Sequence, residues 1–239
     1  MRIVSWNLGH QTRALKLPAT FVDAVKALEP DVLVLNEYVH SESPTKMFED
    51  PLVLGFTRFS VSPHIPGQNQ VLLASRSPHA IGDLTAPTTT PAATSNFLHV
   101  SVSGIEVVGM RAPAYPKRPE LEAYWKEMEQ LIAGSISRRI LFIGDMNCAP
   151  ERPRMPGGQV MNRLLKAGWA IPTPVGDWSY ISKNGDSSSR IDHAICGPHF
   201  PKATASYKTR IGDIVLAGSF ADKAISDHAA LVLDLELGE

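Results

Sequence analysis

Short polar motifs follow short apolar runs from one end of this 239-residue chain to the other. The run VLVL at 32–35 precedes Glu37, and the run ILFI at 140–143 precedes Asp145. Runs of this length are typical of buried strands, so the pattern predicts strands that end in polar side chains. If those ends form one site, motifs as distant as Asn7 and His228 must meet, which predicts a single domain over residues 1–239.

Composition limits the classes of partner. The formal net charge is −1 and the pI about 6.7, so no global cationic field is available to attract nucleic acid. Any contact with a polyanion must be local. The sequence offers four local basic pairs, each of which is more simply explained as solvated surface charge: Lys117 and Arg118, Arg138 and Arg139, Arg152 and Arg154, and Lys208 and Arg210.

Cysteine use and hydropathy indicate the compartment. The two cysteines, Cys148 and Cys196, each lie inside a presumed active-site or strand segment and are expected to be reduced and buried. The chain shows neither a signal-peptide pattern nor an apolar segment long enough to span a membrane. We therefore expect a cytoplasmic protein, monomeric by default.

Hydrophobic periodicity predicts short strands alternating with a few helices. A helix over 17–28 places Phe21, Val25 and Leu28 on one face and ends before Pro30. Segments 97–103 and 106–110 are predicted to pair as a hairpin around Gly104. Helices are predicted over 119–133 and 158–167, and loops over 44–66 and 85–95.

Five motifs in order resemble the endonuclease/exonuclease/phosphatase superfamily, which includes exonuclease III and deoxyribonuclease I. They are Trp6-Asn7, the segment PDVLVLNE ending at Glu37, Gly144-Asp145-x-Asn147, Arg190-Ile191-Asp192-His193 and Ser226-Asp227-His228. The resemblance implies an α/β fold in which a two-sheet β-sandwich is flanked by helices on both outer faces, in four layers. It also implies metal-dependent hydrolysis of phosphodiester bonds.

A divalent cation is expected at Glu37. A carboxylate at the end of an apolar strand is costly unless a partner neutralises it, and no other charge is obvious at that position. Carboxylates without a Cys/His cluster suit Mg²⁺, with Mn²⁺ as a substitute. By the resemblance Asn7 and Asp227 also line the metal site, and Asn7 could hold either Glu37 or a metal-bound water. A salt bridge or a helix cap at Glu37 is the alternative.

The resemblance assigns catalytic roles to four further residues. Asp145 would orient or deprotonate the attacking water, and Asn147 would bind a phosphate oxygen. In extended geometry their two-residue spacing places both on one face. Asp192 would hold the ring of His228 and keep it cationic, so that it stabilises charge on the phosphoryl group.

Arg111 departs from the family pattern. It follows the run 107–110 at the position where relatives carry a histidine or a tyrosine near the leaving group. Arginine cannot act as a general acid near neutral pH, although it can bind a phosphate through two nitrogens. Leaving-group protonation would then fall to Tyr115 or to metal-bound water.

The substrate is the least constrained property. Trp178 and Tyr180 could stack on a sugar or base, and His64 and Asn69 could contact substrate, but each could equally serve the core or the surface. The sequence contains no base-reading module. The favoured hypothesis is a nuclease acting on DNA with little sequence preference. The alternatives are a phosphoesterase for a small or lipid phosphoester and a non-catalytic phosphate-binding module.

Overall fold

The computed structural model describes residues 1–10, 17–39, 54–114 and 117–237. Its strands are β1 (Arg2–Asn7), β2 (Val32–Tyr38), β3 (Arg58–Val61), β4 (Gln70–Ser75), β5 (His79–Ile81), β6 (Phe97–Val102), β7 (Ile105–Arg111), β8 (Ile140–Asp145), β9 (Tyr180–Ile181), β10 (Ser188–Ser189), β11 (Asp192–Cys196), β12 (Ala203–Lys208), β13 (Arg210–Ile211), β14 (Ile214–Val215) and β15 (Ala230–Leu235). Its α-helices are α1 (Thr20–Leu28), α2 (Pro91–Ser95), α3 (Arg118–Gly134) and α4 (Pro156–Lys166), and a 3₁₀ helix covers Phe220–Asp222.

Two mixed sheets form the centre of the fold. One has six strands in the order β12-β15-β1-β2-β4-β3, and the other has five in the order β11-β8-β7-β6-β5. The pairs β1–β2 and β7–β8 are parallel, whereas the other pairs within these two sheets are antiparallel. The carboxyl ends of β1, β2, β7 and β8 therefore form one end of the two sheets.

The sheets pack closely on each other through an apolar core. The two sheets approach closely at Gly109 on β7, because a Cβ there would lie 2.7 Å from Val34 Cγ1 and 2.9 Å from Val71 Cγ1. Those two valines belong to the six-stranded sheet and are fully buried. A side chain at Gly109 would therefore force the sheets apart.

Helices cover both outer faces. Phe21 on α1 packs on the six-stranded sheet and stacks on Trp6, with ring centroids 5.5 Å apart. Trp125 on α3 and Met161 on α4 pack in one cluster with Phe142 of the five-stranded sheet. This confirms the four-layer α/β sandwich, with helices on both outer faces.

Local structure confirms some boundaries from the sequence and corrects others. β6 and β7 form the predicted hairpin. Helix α1 begins only at Thr20, and it ends as predicted, with Glu29 in the left-handed conformation before Pro30. Helix α4 begins at Pro156, earlier than predicted, because proline is well suited to the first helical turn. Both predicted loops contain regular structure, α2 in the second and β3 in the described part of the first.

Both cysteines are buried and unpaired, as expected. No helix among the described residues is long and apolar enough to cross a membrane.

Side-chain alternation along the strands explains why the polar motifs lie at one end of the two sheets. In β2, β7 and β8 the residues facing the other sheet are apolar along most of the strand, as Val34, Val107 and Ile143 are, whereas β1 has Ile3 followed by Ser5 on this face. Toward the strand ends the same face carries polar residues, which are Asn7, Asn36, Arg111 and Asp145. β11 runs antiparallel to β8, so Asp192 at its beginning lies opposite Asp145. One end of the sandwich is therefore polar.

Candidate active site

A cleft of about 460 Å³ opens at this polar end of the two sheets. Seven residues singled out from the sequence line it: Glu37, Arg111, Asp145, Asn147, Tyr180, Asp227 and His228. Asn7 and Asp192 are buried directly behind it, where they hydrogen-bond to Asp145 and His228. The structure thus brings together motifs from both ends of the chain.

Glu37 reaches the cleft through a distortion of β2. It has a φ of 55°, and the pairing of β2 with β4 shifts register between Leu35 and Tyr38. Asn36 keeps the position that faces the other sheet, and the irregularity turns the next side chain toward the cleft. A non-glycine residue with a positive φ is uncommon, and such residues are often found at functional sites.

The side chains of Arg111 and His10 contact the Glu37 carboxylate. Arg111 Nη2 lies 2.7 Å from Oε1, and His10 Nε2 lies 3.0 Å from Oε2. The prediction that no other charge is available to Glu37 is therefore wrong. Sequence reasoning missed the pairing because Arg111 comes from the other sheet and His10 from the loop after β1.

Asp145 is held by three neighbours. Asn7 Nδ2 donates to Oδ2 at 3.0 Å, and the Asn147 backbone N–H donates to Oδ1 at 3.0 Å. Arg111 Nε lies 3.5 Å from Oδ2. Burial raises the pKa of Asp145, and the charge of Asp192 raises it further, against the opposing charges of His228 and Arg111.

Asn147 is close to Asp145 for a different reason than predicted. β8 ends at Asp145, and Asn147 is left-handed with a φ of 48°, so the two residues do not share an extended strand. The Asn147 amide donates to Ala112 O at 2.7 Å and to Asp145 Oδ2 at 3.3 Å. In this arrangement Asn147 positions Asp145.

His228 and Asp192 form a buried pair, as the sequence predicted. His228 Nδ1 lies 2.9 Å from Asp192 Oδ2. Burial alone would lower the pKa of His228, but the Asp192 charge and hydrogen bond outweigh it and raise that pKa to about 9. The imidazole is therefore cationic at neutral pH. The Tyr180 ring lies against it, with centroids 5.0 Å apart.

The first and last motifs are joined directly. The Ser226 hydroxyl donates to the Asn7 backbone oxygen at 2.6 Å, and the Trp6 indole N–H donates to the His228 backbone oxygen at 2.8 Å. Asp227, between Ser226 and His228, lines the cleft. These bonds fix Asp227 and His228 against the end of β1.

The other predicted site residues have different positions. Trp178 is partly buried against the core between the sheets and does not line the cleft, which agrees with the core alternative for this residue. His64 is exposed and does not line the cleft either. Asn69 reaches the cleft indirectly, because its Oδ1 lies 3.0 Å from His10 Nδ1. Tyr115 lies outside the described residues.

The cleft also contains residues that sequence reasoning did not assign to the site. His10, Lys183 and Arg152 line it. Arg152 belongs to one of the four basic pairs, and His10 follows the Asn7 motif by three residues. Lys183 is in a polar turn after β9, where no local pattern marks it.

A second group of potential metal ligands lies at the opposite end of β7. Within the described ranges, Asp83, His99 and Glu106 form the one group of at least three His, Cys, Asp or Glu side chains whose ligand atoms lie within 4.8 Å of one another. Arg138 contacts both carboxylates there. The Leu84 N–H donates to His99 Nδ1 at 3.1 Å, so Nε2 carries the ring proton and donates to Glu106 at 2.9 Å. Burial lowers the pKa of His99. Both imidazole nitrogens and the carboxylates already have partners, which favours an ionic cluster over a metal site.

Comparison with known proteins identifies the family of this chain. The model of the Endonuclease/Exonuclease/phosphatase family matches residues 4–228. The chain belongs to this family. Its members are phosphoesterases, and the match spans every motif that forms the cleft. No curated protein sequence matches the chain significantly.

Solved structures confirm the deoxyribonuclease I-like fold of this family member. The 3′ phosphatase NExo from Neisseria, bound to a product DNA hairpin, matches with a TM-score of 0.72 and 18% identity over 99% of both chains. An AP endonuclease from Archaeoglobus fulgidus matches with a TM-score of 0.72 and 15% identity over 99% of both chains. Truncated TDP2 from Caenorhabditis elegans matches with a TM-score of 0.64 and 17% identity over 98% of this chain and 96% of that one.

Proposed function

We propose that this family member is a divalent-metal-dependent phosphodiesterase, and specifically a nuclease that hydrolyses DNA with little sequence preference. One observation supports this above all. A single cleft contains two carboxylates suited to a hard cation, a third buried carboxylate held by amide donors, and a histidine that is cationic at neutral pH.

Glu37, Asp227 and Asn7 are the residues proposed to hold the cation. Their ligand atoms are oxygens, which suit Mg²⁺ and also Mn²⁺. Arg111 already forms a salt bridge with Glu37, so a bound cation would share this carboxylate with Arg111. A divalent ion supplies charge to shield the phosphoryl oxygens and so exposes phosphorus to attack by water.

Asp145 is the proposed base that orients and deprotonates water. Burial raises the pKa of Asp145, which favours proton acceptance. Asn7 and Asn147 fix its two oxygens, so the carboxylate cannot rotate away from a bound water. These amides therefore act as positioning groups.

His228 is the proposed group that stabilises negative charge on the phosphoryl oxygens. His228 Nδ1 is hydrogen-bonded to Asp192, so Nε2 is the nitrogen that can donate to the substrate. A donor that is charged before substrate arrives needs little reorganisation during the reaction.

Arg111 is proposed to neutralise the site and then to bind substrate. Its guanidinium lies between Glu37 and Asp145, and its buried Nε has no hydrogen-bond partner. A phosphate oxygen would satisfy that nitrogen. Arg111 would not donate a proton, since its pKa is above about 12.

DNA is proposed as the substrate on two grounds. Arg152 and Lys183 add positive charge to the cleft, and one solved structure of similar fold is bound to a DNA hairpin. A small or lipid phosphoester remains the second candidate, because the whole chain has a net charge of only −1. A non-catalytic phosphate-binding module is disfavoured by the held Asp145 and the paired His228.

A side-by-side assay tests the proposal. Plasmid DNA, duplex with an abasic site, bis-p-nitrophenyl phosphate and inositol phosphates are each incubated with Mg²⁺, with EDTA, and with Mg²⁺ restored after EDTA. We expect hydrolysis of both DNA substrates, its loss in EDTA and its recovery with Mg²⁺. Turnover of inositol phosphates alone would select the second candidate, and no hydrolysis with any metal would reject the enzyme proposal.

A further inference from the structure

His10 enters the cleft from the turn that follows β1. The Gly9 N–H donates to Asn7 Oδ1 at 3.0 Å, and Gly9 and His10 are both left-handed, with φ of 53° and 62°. The half-exposed imidazole thereby reaches Glu37 with one nitrogen and Asn69 with the other. The backbone of the turn therefore determines which groups the two ring nitrogens face.

Both ring nitrogens of His10 face oxygen acceptors. Nδ1 lies 3.0 Å from Asn69 Oδ1, and Nε2 lies 3.0 Å from Glu37 Oε2. An amide oxygen only accepts hydrogen bonds, so Nδ1 carries the proton of a neutral ring. The lone pair of Nε2 would then face a carboxylate oxygen, which is unfavourable. A positive group is required between Nε2 and Oε2, either a second proton on the ring or a metal ion.

We propose that a transition-metal ion occupies this position, with His10 Nε2 and Glu37 Oε2 as two of its ligands. The inference rests on the proposed function, because that function assigns the cation to Glu37. It adds a nitrogen ligand to the oxygen ligands already proposed. Imidazole suits first-row transition ions better than Mg²⁺, so the site should prefer an ion such as Mn²⁺ or Co²⁺. Mg²⁺ would bind through the oxygens alone.

The contacts of the pair fit a shared ion. Two ligand atoms that each lie about 2.1 Å from an ion, at right angles, are about 3 Å apart. The observed distance between Nε2 and Oε2 is 3.0 Å. Asn69 provides the outer hydrogen bond that metal-binding histidines usually make through their second nitrogen. Arg111 contacts the other oxygen of Glu37, Oε1, and so leaves Oε2 to the ion.

His99 has the opposite arrangement. Its Nδ1 accepts from the Leu84 N–H and its Nε2 donates to Glu106, so a neutral ring satisfies both contacts without an ion. The pair formed by His10 and Glu37 is also more open. Among the described residues, no third His, Cys, Asp or Glu ligand atom lies within 4.8 Å of both members. Such a pair leaves positions on the ion for water and substrate, as catalytic metal sites do.

Three variants test the inference. His10→Asn removes the imidazole with little strain, because asparagine tolerates the left-handed conformation. Asn69→Ala removes the acceptor at Nδ1 and keeps the ligand. His199→Asn is the matched control, since this exposed histidine contacts Ser137 O and does not line the cleft.

Calorimetric titration without substrate measures the affinities for Mn²⁺ and Mg²⁺. We expect the parent to bind Mn²⁺ more tightly than Mg²⁺. Asn69→Ala should lower the ratio of the two association constants by about tenfold, as for the loss of an outer-shell contact, and His10→Asn should lower it by at least as much. The loss should come from weaker binding of Mn²⁺, because Mg²⁺ does not use the ring. His199→Asn should keep the parent ratio.

Electron spin-echo spectroscopy of the bound Mn²⁺ identifies the ligand itself. A coordinated imidazole nitrogen modulates the echo of the ion, whereas oxygen ligands do not. We expect the nitrogen modulation in the parent and in His199→Asn, and its loss in His10→Asn.

The outcomes separate this inference from the proposed function. Equal ratios of Mn²⁺ to Mg²⁺ affinity in the parent and in His10→Asn would overturn the inference, as would a nitrogen modulation that is absent from the parent or persists in His10→Asn. A second proton on His10 would then bridge to Glu37. Both measurements are made without substrate, so they decide on His10 whether or not the parent hydrolyses a phosphodiester. Failure of the proposed function appears only in the hydrolysis assays.

Discussion

The Asp192–His228 pair makes a quantitative prediction about pH. The pKa of His228 is raised from 6.5 to about 9, although burial opposes this, because Asp192 contacts the ring. Each pH unit corresponds to about 1.4 kcal/mol, so the difference amounts to about 3 kcal/mol in favour of the charged form. Asp192→Asn keeps the shape and removes the charge. The pKa of His228 should then fall well below 9, because only the charges of Asp145 and Asp227 would remain to oppose burial.

NMR titration of the histidine rings in the metal-free protein measures this directly. The parent should show one ring with a pKa near 9, which Asp192→Asn removes. Activity of the parent should decline as pH rises through 9, and that of the variant should decline at a lower pH. Glu106→Gln is the matched control, since it removes a carboxylate from His99 at the far end of β7 and should leave the His228 titration unchanged.

Stability should follow the same titration. A histidine whose folded pKa exceeds its unfolded pKa stabilises the protein fully below about 6.5, and this contribution disappears as pH rises through about 9. The free energy of unfolding should therefore lose about 3 kcal/mol between those limits in the parent and not in Asp192→Asn. A His228 pKa near 6.5 in both proteins would refute the reasoning.

Three further predictions follow from the contacts around the cleft. Asp145→Asn and His228→Ala should each lower kcat by about 10²-fold or more. The double variant should lose less than the product of the two single losses, whereas a loss equal to that product would show that the two residues act separately. Arg111→Met should slow turnover yet lower the Mg²⁺ concentration needed for half-maximal activity, because the Arg111 guanidinium, 2.7 Å from Glu37, opposes the binding of a cation there. An unchanged Mg²⁺ requirement would contradict this prediction. Gly109→Ala should reduce the free energy of unfolding by about 1–3 kcal/mol in urea denaturation through overpacking against Val34, while Gly134→Ala, which meets nothing within 4 Å, should not.

The family resemblance carried by the ordered motifs was sufficient for the layers of the fold and for most of the cleft, including Asp192. The apolar run before Asp145 by itself predicts that this side chain lies at the end of a buried strand. The ordered motifs then predict that these ends converge. The Asp192–His228 pair was predicted on the same basis.

What the sequence could not provide are contacts that depend on irregular backbone or on the distance between sheets. Glu37 enters the cleft through a bulge, and Asn147 approaches Asp145 through a left-handed turn, neither of which has a periodic signal. The Arg111–Glu37 contact crosses from one sheet to the other, and no local pattern reports such a pairing. Trp178 packs against the core between the sheets. The sequence could not predict this position, because an aromatic side chain next to a motif can pack on either side of a strand.

One measurement tests the central claim most directly, namely the Mg²⁺ dependence of phosphodiester hydrolysis in Glu37→Gln. The substitution keeps the shape of the side chain and removes the charge proposed to hold the cation. We expect the parent to lose activity in excess EDTA and to regain it with Mg²⁺, and Glu37→Gln to be slower by orders of magnitude at every Mg²⁺ concentration while remaining folded. Glu120→Gln, an exposed glutamate on α3, should behave as the parent. Full activity of the parent in excess EDTA, or of Glu37→Gln in Mg²⁺, would contradict the account.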